Sequence, residues 1–147
     1  NSSPGVANFE LQAYAYILMR QEGVPTIFYK DYYHKNMKKE LDTLLKARKH
    51  FAYGEGYEVN NNSENVYSYV REGLKGKSGT GLVMMISDGM SGNKITKNIN
   101  SRQPNTVFYD YTGNIKEVVV TNEAGRGDFK VKASQKNGYS IWVPIQQ

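Results

Sequence analysis

From residue 51 onward the sequence breaks into short alternating runs separated by Gly and Asn, and this pattern restricts the fold more than any other feature of the chain. The runs fall at 65–72, 82–87, 94–99, 106–109, 117–121, 128–131 and 139–143, with SDGMSGN, YTGN and KNG as turn signals among them. Period-two alternation at that spacing predicts an antiparallel β-sandwich or Greek-key module. The first third is different. Leu11, Tyr14, Ala15 and Leu18 recur at i, i+3, i+4 and i+7, which predicts a helix over 9–21 that Gly23 terminates. Met37, Leu41, Leu44, Leu45 and Arg48 form the inward stripe of a second helix over 36–51, whose basic end suits the negative pole of the helix.

Between these helices lies GVPTIFYKDYY, residues 23–33. Pro25 lacks a ladder N–H and belongs at the start or edge of a strand, and Thr26, Ile27, Phe28 and Tyr29 are strand formers. The segment therefore predicts a buried strand over 26–29 in a β/α alternation. Asp31 would then follow the carboxyl end of the strand, where parallel α/β folds keep their binding groups; its other reading is a turn former or helix cap. A single strand cannot make a parallel sheet, so this part of the fold requires strands from another polypeptide segment.

Composition narrows the function classes. The chain has 147 residues, 39% hydrophobic, with a net charge of +5 carried by dispersed lysines. No block of like charge marks a nucleic-acid arm, and no apolar run spans a bilayer. The absence of Cys removes disulfides, zinc-thiolate sites and Cys nucleophiles. The start, NSSPGVANFE, has neither the basic stretch nor the apolar core of a signal peptide. The 12 Tyr, 5 Phe and one Trp would suit sugar stacking, but most alternate within predicted strands and belong to a core.

Six stretches, in order, carry a family resemblance: LQAYAYILMRQEGVPTIFYKDYY, LLKARKHFAYGEGYE, YVREG, GLVMMISDGMSGN, YDYTGN and NEAGRGDFKV. The sequence resembles the C-terminal third of a bacterial, liquefying-type α-amylase of glycoside hydrolase family 13. The resemblance implies an α/β part followed by an all-β part. Residues 1–51 would be the end of a (β/α)8 TIM barrel, comprising its seventh helix, eighth strand and eighth helix. Residues 52–147 would be a C-terminal antiparallel Greek-key β-sandwich domain. Where the family usually has Gly before the strand-end Asp, this chain has Lys30.

The implied activity is endo-hydrolysis of α-1,4-glucosidic bonds in starch-like polysaccharides. A barrel needs about 250 residues, and the family's three catalytic carboxylates lie on earlier strands, at and before an Asn-His-Asp motif that would precede Asn1. No such triplet occurs in the chain, which is therefore expected to be inactive alone. Its partners would be the α-glucan and the N-terminal remainder of the barrel, without nucleic acid or membrane. An extracellular, secreted location would place a signal upstream of Asn1. Asp31, Tyr32, Tyr33 and His34 are the substrate-side candidates. Asp88 matches an Asp that helps hold calcium in relatives, and Glu64 and Asn65 stand where relatives have a His-Asp pair. The alternative for Asp88-Gly89 is a simple turn. The alternative for the whole chain is a non-catalytic carbohydrate-binding or structural module.

Overall fold

A computed structural model describes residues 9–20, 23–34, 36–59 and 65–146. The described chain runs α1 (Glu10–Arg20), α2 (Thr26–His34) and α3 (Lys38–Phe51). Eight strands follow: β1 (Gly56–Glu58), β2 (Val66–Arg71), β3 (Leu82–Ser87), β4 (Lys94–Asn100), β5 (Val107–Asp110), β6 (Val119–Val120), β7 (Arg126–Lys132) and β8 (Tyr139–Pro144). Each of the seven predicted runs became a strand; β1 was not anticipated. All pairings are antiparallel, in a six-stranded sheet of order β1-β2-β3-β8-β5-β6 and a two-stranded ribbon of β4 and β7.

Three layers result, and the central strands explain why. In β3, LVMMIS, successive side chains point to opposite faces, and neither face is polar enough to meet water. Leu82 and Met84 join a core with Tyr14, Ala15, Leu18 and Met19 of α1 and Leu41, Leu44 and Ala47 of α3. Val83 and Met85 join a second core with Ile99, Phe129 and Val131 of the ribbon. Strand β8 divides in the same way: Tyr139, Ile141 and Val143 face the helices, and Trp142 faces the ribbon. The Trp142 indole N–H donates to Ser140 Oγ at 3.0 Å and Lys130 O at 3.1 Å, so its burial leaves no orphaned donor.

Buried Asp110 closes the sheet beyond β5. Its carboxylate accepts from the backbone N–H groups of Thr112, Ile115 and Ile141 and from the Thr112 hydroxyl, at 2.8 to 3.0 Å. Burial pushes its pKa up, and these four donors pull against that shift. The YDYTGN turn is thereby pinned to β8. At the helix–sheet junction, Gly54 and Gly73 both have positive φ, and a Cβ at Gly54 would meet Gly73 O at 2.3 Å. Only two bare backbones can approach that closely.

The helices show one difference from the sequence reading. Residues 26–29, expected as the barrel's eighth strand, lie in the first turn of α2. Phe28, Asp31 and Tyr32 form its inward arc at i, i+3 and i+4, while Ile27, Tyr29 and Tyr33 are exposed. Strand propensity is a weak preference, and an isolated strand with no neighbour leaves every ladder group unpaired. A helix satisfies those groups internally, beginning with the Phe28 N–H to Pro25 O bond at 3.0 Å. The (β/α)8 barrel is accordingly absent from the described residues, which show a β-sheet domain carrying three helices.

Helices α1 and α3 are as expected, apart from extra buried residues at Gln12, Met19 and Ala47. The basic end of α3 serves a neighbour, Arg48 donating to Leu18 O at 2.8 Å, and Arg71 at the end of β2 donates to Met19 O at 3.0 Å. Both carbonyls are in the last turn of α1, where intrahelical donors have run out. None of the helices among the described residues is long and apolar enough to cross a membrane.

Candidate functional site

The four substrate-side candidates all lie on α2, and the structure does not bring Asp31, Tyr32 and Tyr33 into one cleft. Asp31 is 6% exposed and accepts from the Tyr14 hydroxyl at 2.5 Å, within the layer between α1 and α2. Burial, reinforced by this bond, raises the Tyr14 pKa. Asp31 therefore does not sit past a strand end facing solvent. The change follows from the helical path of 26–34, which turns Asp31 inward beside Phe28. Tyr32 stacks on Phe28 with centroids 5.9 Å apart and donates to Asp42 Oδ1 at 2.7 Å. That bond raises its pKa. Tyr33 is 72% exposed, and His34 is the last residue of the helix. Lys30, at the family's Gly position, is exposed on the same helix and has an ordinary helical backbone.

The metal candidates are closer together. Asn65 and Asp88 line one cavity of about 190 Å³ with Phe9, Gln12 and Ser87, and the Asp88 N–H donates to Asn65 O at 3.3 Å. Glu64 lies outside the described residues. Calcium takes six to eight oxygen ligands, mostly carboxylate, carbonyl and water. The described residues offer the Asp88 carboxylate and the Asn65 amide. Gln12 adds another feature: its Oε1 is buried without a hydrogen-bond partner among the described residues. This donor chemistry is of the hard-cation type. No group of three or more His, Cys, Asp or Glu that could hold a metal occurs among the described residues, so carboxylates alone do not build a site.

Gln12 is a residue the sequence reading missed. Its Nε2 faces three carbonyls, of Ser134 at 3.1 Å, Gln135 at 3.2 Å and Ser87 at 3.4 Å, and so fastens α1 to the ends of β3 and of the β7–β8 connection. A signal existed: Gln12, Ala15 and Met19 fall at i, i+3 and i+7 on the buried arc, where a polar residue needs a partner. Arg20 is a second example. It lies 4.5 Å from the Tyr16 ring and 4.7 Å from the Tyr69 ring, and it pairs with Glu58 at 3.1 Å. No local pattern announces that set, because its members come from α1, β1 and β2.

Comparison with known proteins supplies what the geometry does not. Residues 82–143 match the α-amylase C-terminal domain family. The chain is 39% identical over 142 residues to an α-amylase of Geobacillus stearothermophilus, covering 92% of this chain and 25% of that enzyme. It is 32% identical over 148 residues to an α-amylase of Bacillus licheniformis, covering 95% of this chain and 28% of that enzyme. The chain thus spans about a quarter of the length of these curated relatives. The fold is similar, at a TM-score of 0.50 and 9% identity, to part of a Geobacillus thermoleovorans α-amylase crystallised with acarbose, covering 76% of this chain and 23% of that one. The chain is therefore a homologue of the C-terminal part of bacterial α-amylases.

Proposed function

We propose that this chain is the C-terminal part of a secreted α-amylase that hydrolyses internal α-1,4 bonds of starch-like glucans, with the catalytic carboxylates on the portion outside it. The carrying observation is the 39% identity sustained over 92% of the chain. Retaining glycosidases need two carboxyl groups about 5 Å apart beside the sugar. Asp31, the carboxylate nearest the implied active site, is buried and bonded to Tyr14. On this reading the chain alone is inactive. Residues 1–51 contribute the end of the catalytic barrel, and residues 52–147 form the β-domain beside it. The exposed face of α2, with Ile27 and Tyr33, is the surface against which the barrel remainder packs. Asp88 and Asn65, with Glu64, would hold a calcium ion at this junction. The ion would supply a fixed positive charge joining the two parts.

Release of reducing ends from soluble starch tests the proposal. The chain alone should give none, and a complete protein carrying the N-terminal portion should give them. Starch hydrolysis by the chain alone, abolished by substitutions within it, would overturn the reading.

A further inference from the structure

A second cavity, of about 200 Å³, opens where β1 and β2 meet the end of the β4–β7 ribbon; Tyr57, Glu58, Val70, Asn100, Arg102 and Arg126 line it. Asn100 and Arg126 face each other as register partners, and Arg102 follows two residues later. Three features set it apart from an ordinary basic surface.

The first is backbone conformation. Arg102 has φ 69°, in the left-handed region that side-chain-bearing residues seldom occupy. The turn is held there by the Arg102 N–H to Asn100 Oδ1 bond at 2.9 Å and by two bonds from Ser101 to Gly125 O at 2.7 and 2.8 Å. The second is orientation. The Arg102 guanidinium lies 3.8 Å from the centroid of the Tyr57 ring, and that ring is fixed by its hydroxyl donating to Glu72 at 3.0 Å. Arg126 is fixed in turn by Nε donating to Asn98 Oδ1 at 2.7 Å and Nη2 donating to Asn98 O at 3.3 Å. The third is charge. Neither arginine has a carboxylate partner among the described residues. The carboxylate of Glu58, on the cavity rim, is already engaged by Arg20 at 3.1 Å and by the Tyr67 hydroxyl at 2.9 Å.

We propose that this cavity is a non-catalytic subsite for a phosphate-type oxyanion, either free or esterified on a glucan. The guanidinium of Arg102 and the Arg126 N–H donors not taken up by Asn98 are matched to tetrahedral oxyanions, and the Asn100 amide stands beside them. A neutral sugar would need an open aromatic face. Arg102 covers the Tyr57 ring, so the chemistry favours the anion. Only the esterified source rests on the amylase reading; the anion site stands without it.

The test is calorimetric titration of the chain with inorganic phosphate at constant ionic strength, with chloride as the balancing ion. One saturable site is expected, weakened at least tenfold in Arg102→Ala and in Arg126→Ala. Both side chains are exposed, so the melting temperature of each variant should stay near that of the parent. Retention on phosphorylated amylopectin, compared before and after phosphatase treatment, distinguishes the sources. Loss of retention after phosphatase identifies the ester, and equal retention alongside saturable phosphate binding identifies the free anion. Absence of saturable phosphate binding, or equal binding by the parent and both arginine variants, overturns the proposal whatever the glucan result. Failure of the amylase reading would appear instead as an inactive complete protein, with phosphate binding unchanged.

Discussion

The two halves of this chain solve the burial problem differently. In the β-half, every strand finds partners within the chain, and both faces of β3 and β8 are covered. In the helical part, α1 and α3 bury their apolar arcs against β3 and β8, but α2 leaves Ile27 54% exposed and Tyr33 72% exposed. The difference teaches where the chain is self-sufficient. The β-half carries its own packing information, and the outer face of α2 has no cover among the described residues.

Removing the polar hub of the self-sufficient half should have the largest effect. Asp110→Ala leaves the buried N–H groups of Ile115 and Ile141 unpaired, together with the part-buried N–H and hydroxyl of Thr112. Each such group costs about 1–3 kcal/mol, so a total loss of about 4 kcal/mol or more is expected. Chemical denaturation followed by Trp142 fluorescence would measure it. A paired comparison of aromatic truncations sharpens the contrast. Phe129→Ala, in the core under the ribbon, should cost about 3–5 kcal/mol of global stability. Phe28→Ala, beneath α2, should cost clearly less in the chain alone, because α2 opens without the sheet. Equal losses would remove the distinction between the two parts.

The metal proposal predicts an intermediate effect, confined to one condition. In the complete protein, a calcium ion at a hundredfold excess over its Kd adds about 2.7 kcal/mol. Asp88→Ala should abolish that portion of the calcium-dependent rise in melting temperature and leave the chelator-treated value unchanged. Equal shifts under both conditions would make Asp88 a turn residue only.

Smaller effects belong to the surface. Replacing Ile27 and Tyr33 together by Lys should alter stability by no more than about 0.5 kcal/mol each while suppressing self-association in analytical ultracentrifugation. Glu117→Gln should have the least effect of all. Lys94 Nζ lies 3.0 Å from both Glu117 carboxylate oxygens and holds the Glu117 pKa down. A depressed carboxylate pKa gives stability present above the unfolded value and lost as pH falls through the folded one. The small difference between parent and variant should therefore vanish on acidification, and also in high salt.

Legibility in the sequence follows the same division. The seven alternating runs became strands because period two and turn chemistry are local properties, written residue by residue in stretches such as LVMMIS and YTGN. Strand β1 was missed because three residues, Gly56–Glu58, are too few to display alternation. Residues 26–29 were misread because Thr, Ile, Phe and Tyr favour strands, whereas Phe28, Asp31 and Tyr32 also carry helical spacing and no strand pairs with them among the described residues. Family resemblance identified the relatives but could not reveal Gln12 or the Tyr57–Arg102 pair. Those contacts join residues 75 and 45 positions apart, respectively, through hydrogen bonding to Ser87 and ring stacking.

Amide hydrogen exchange, compared between this chain and the complete protein, tests the central claim most directly. The account predicts that residues 23–34 exchange rapidly in the chain alone and become strongly protected in the complete protein, while β3 and β8 are equally protected in both. Equal protection of residues 23–34 in the two samples would contradict it.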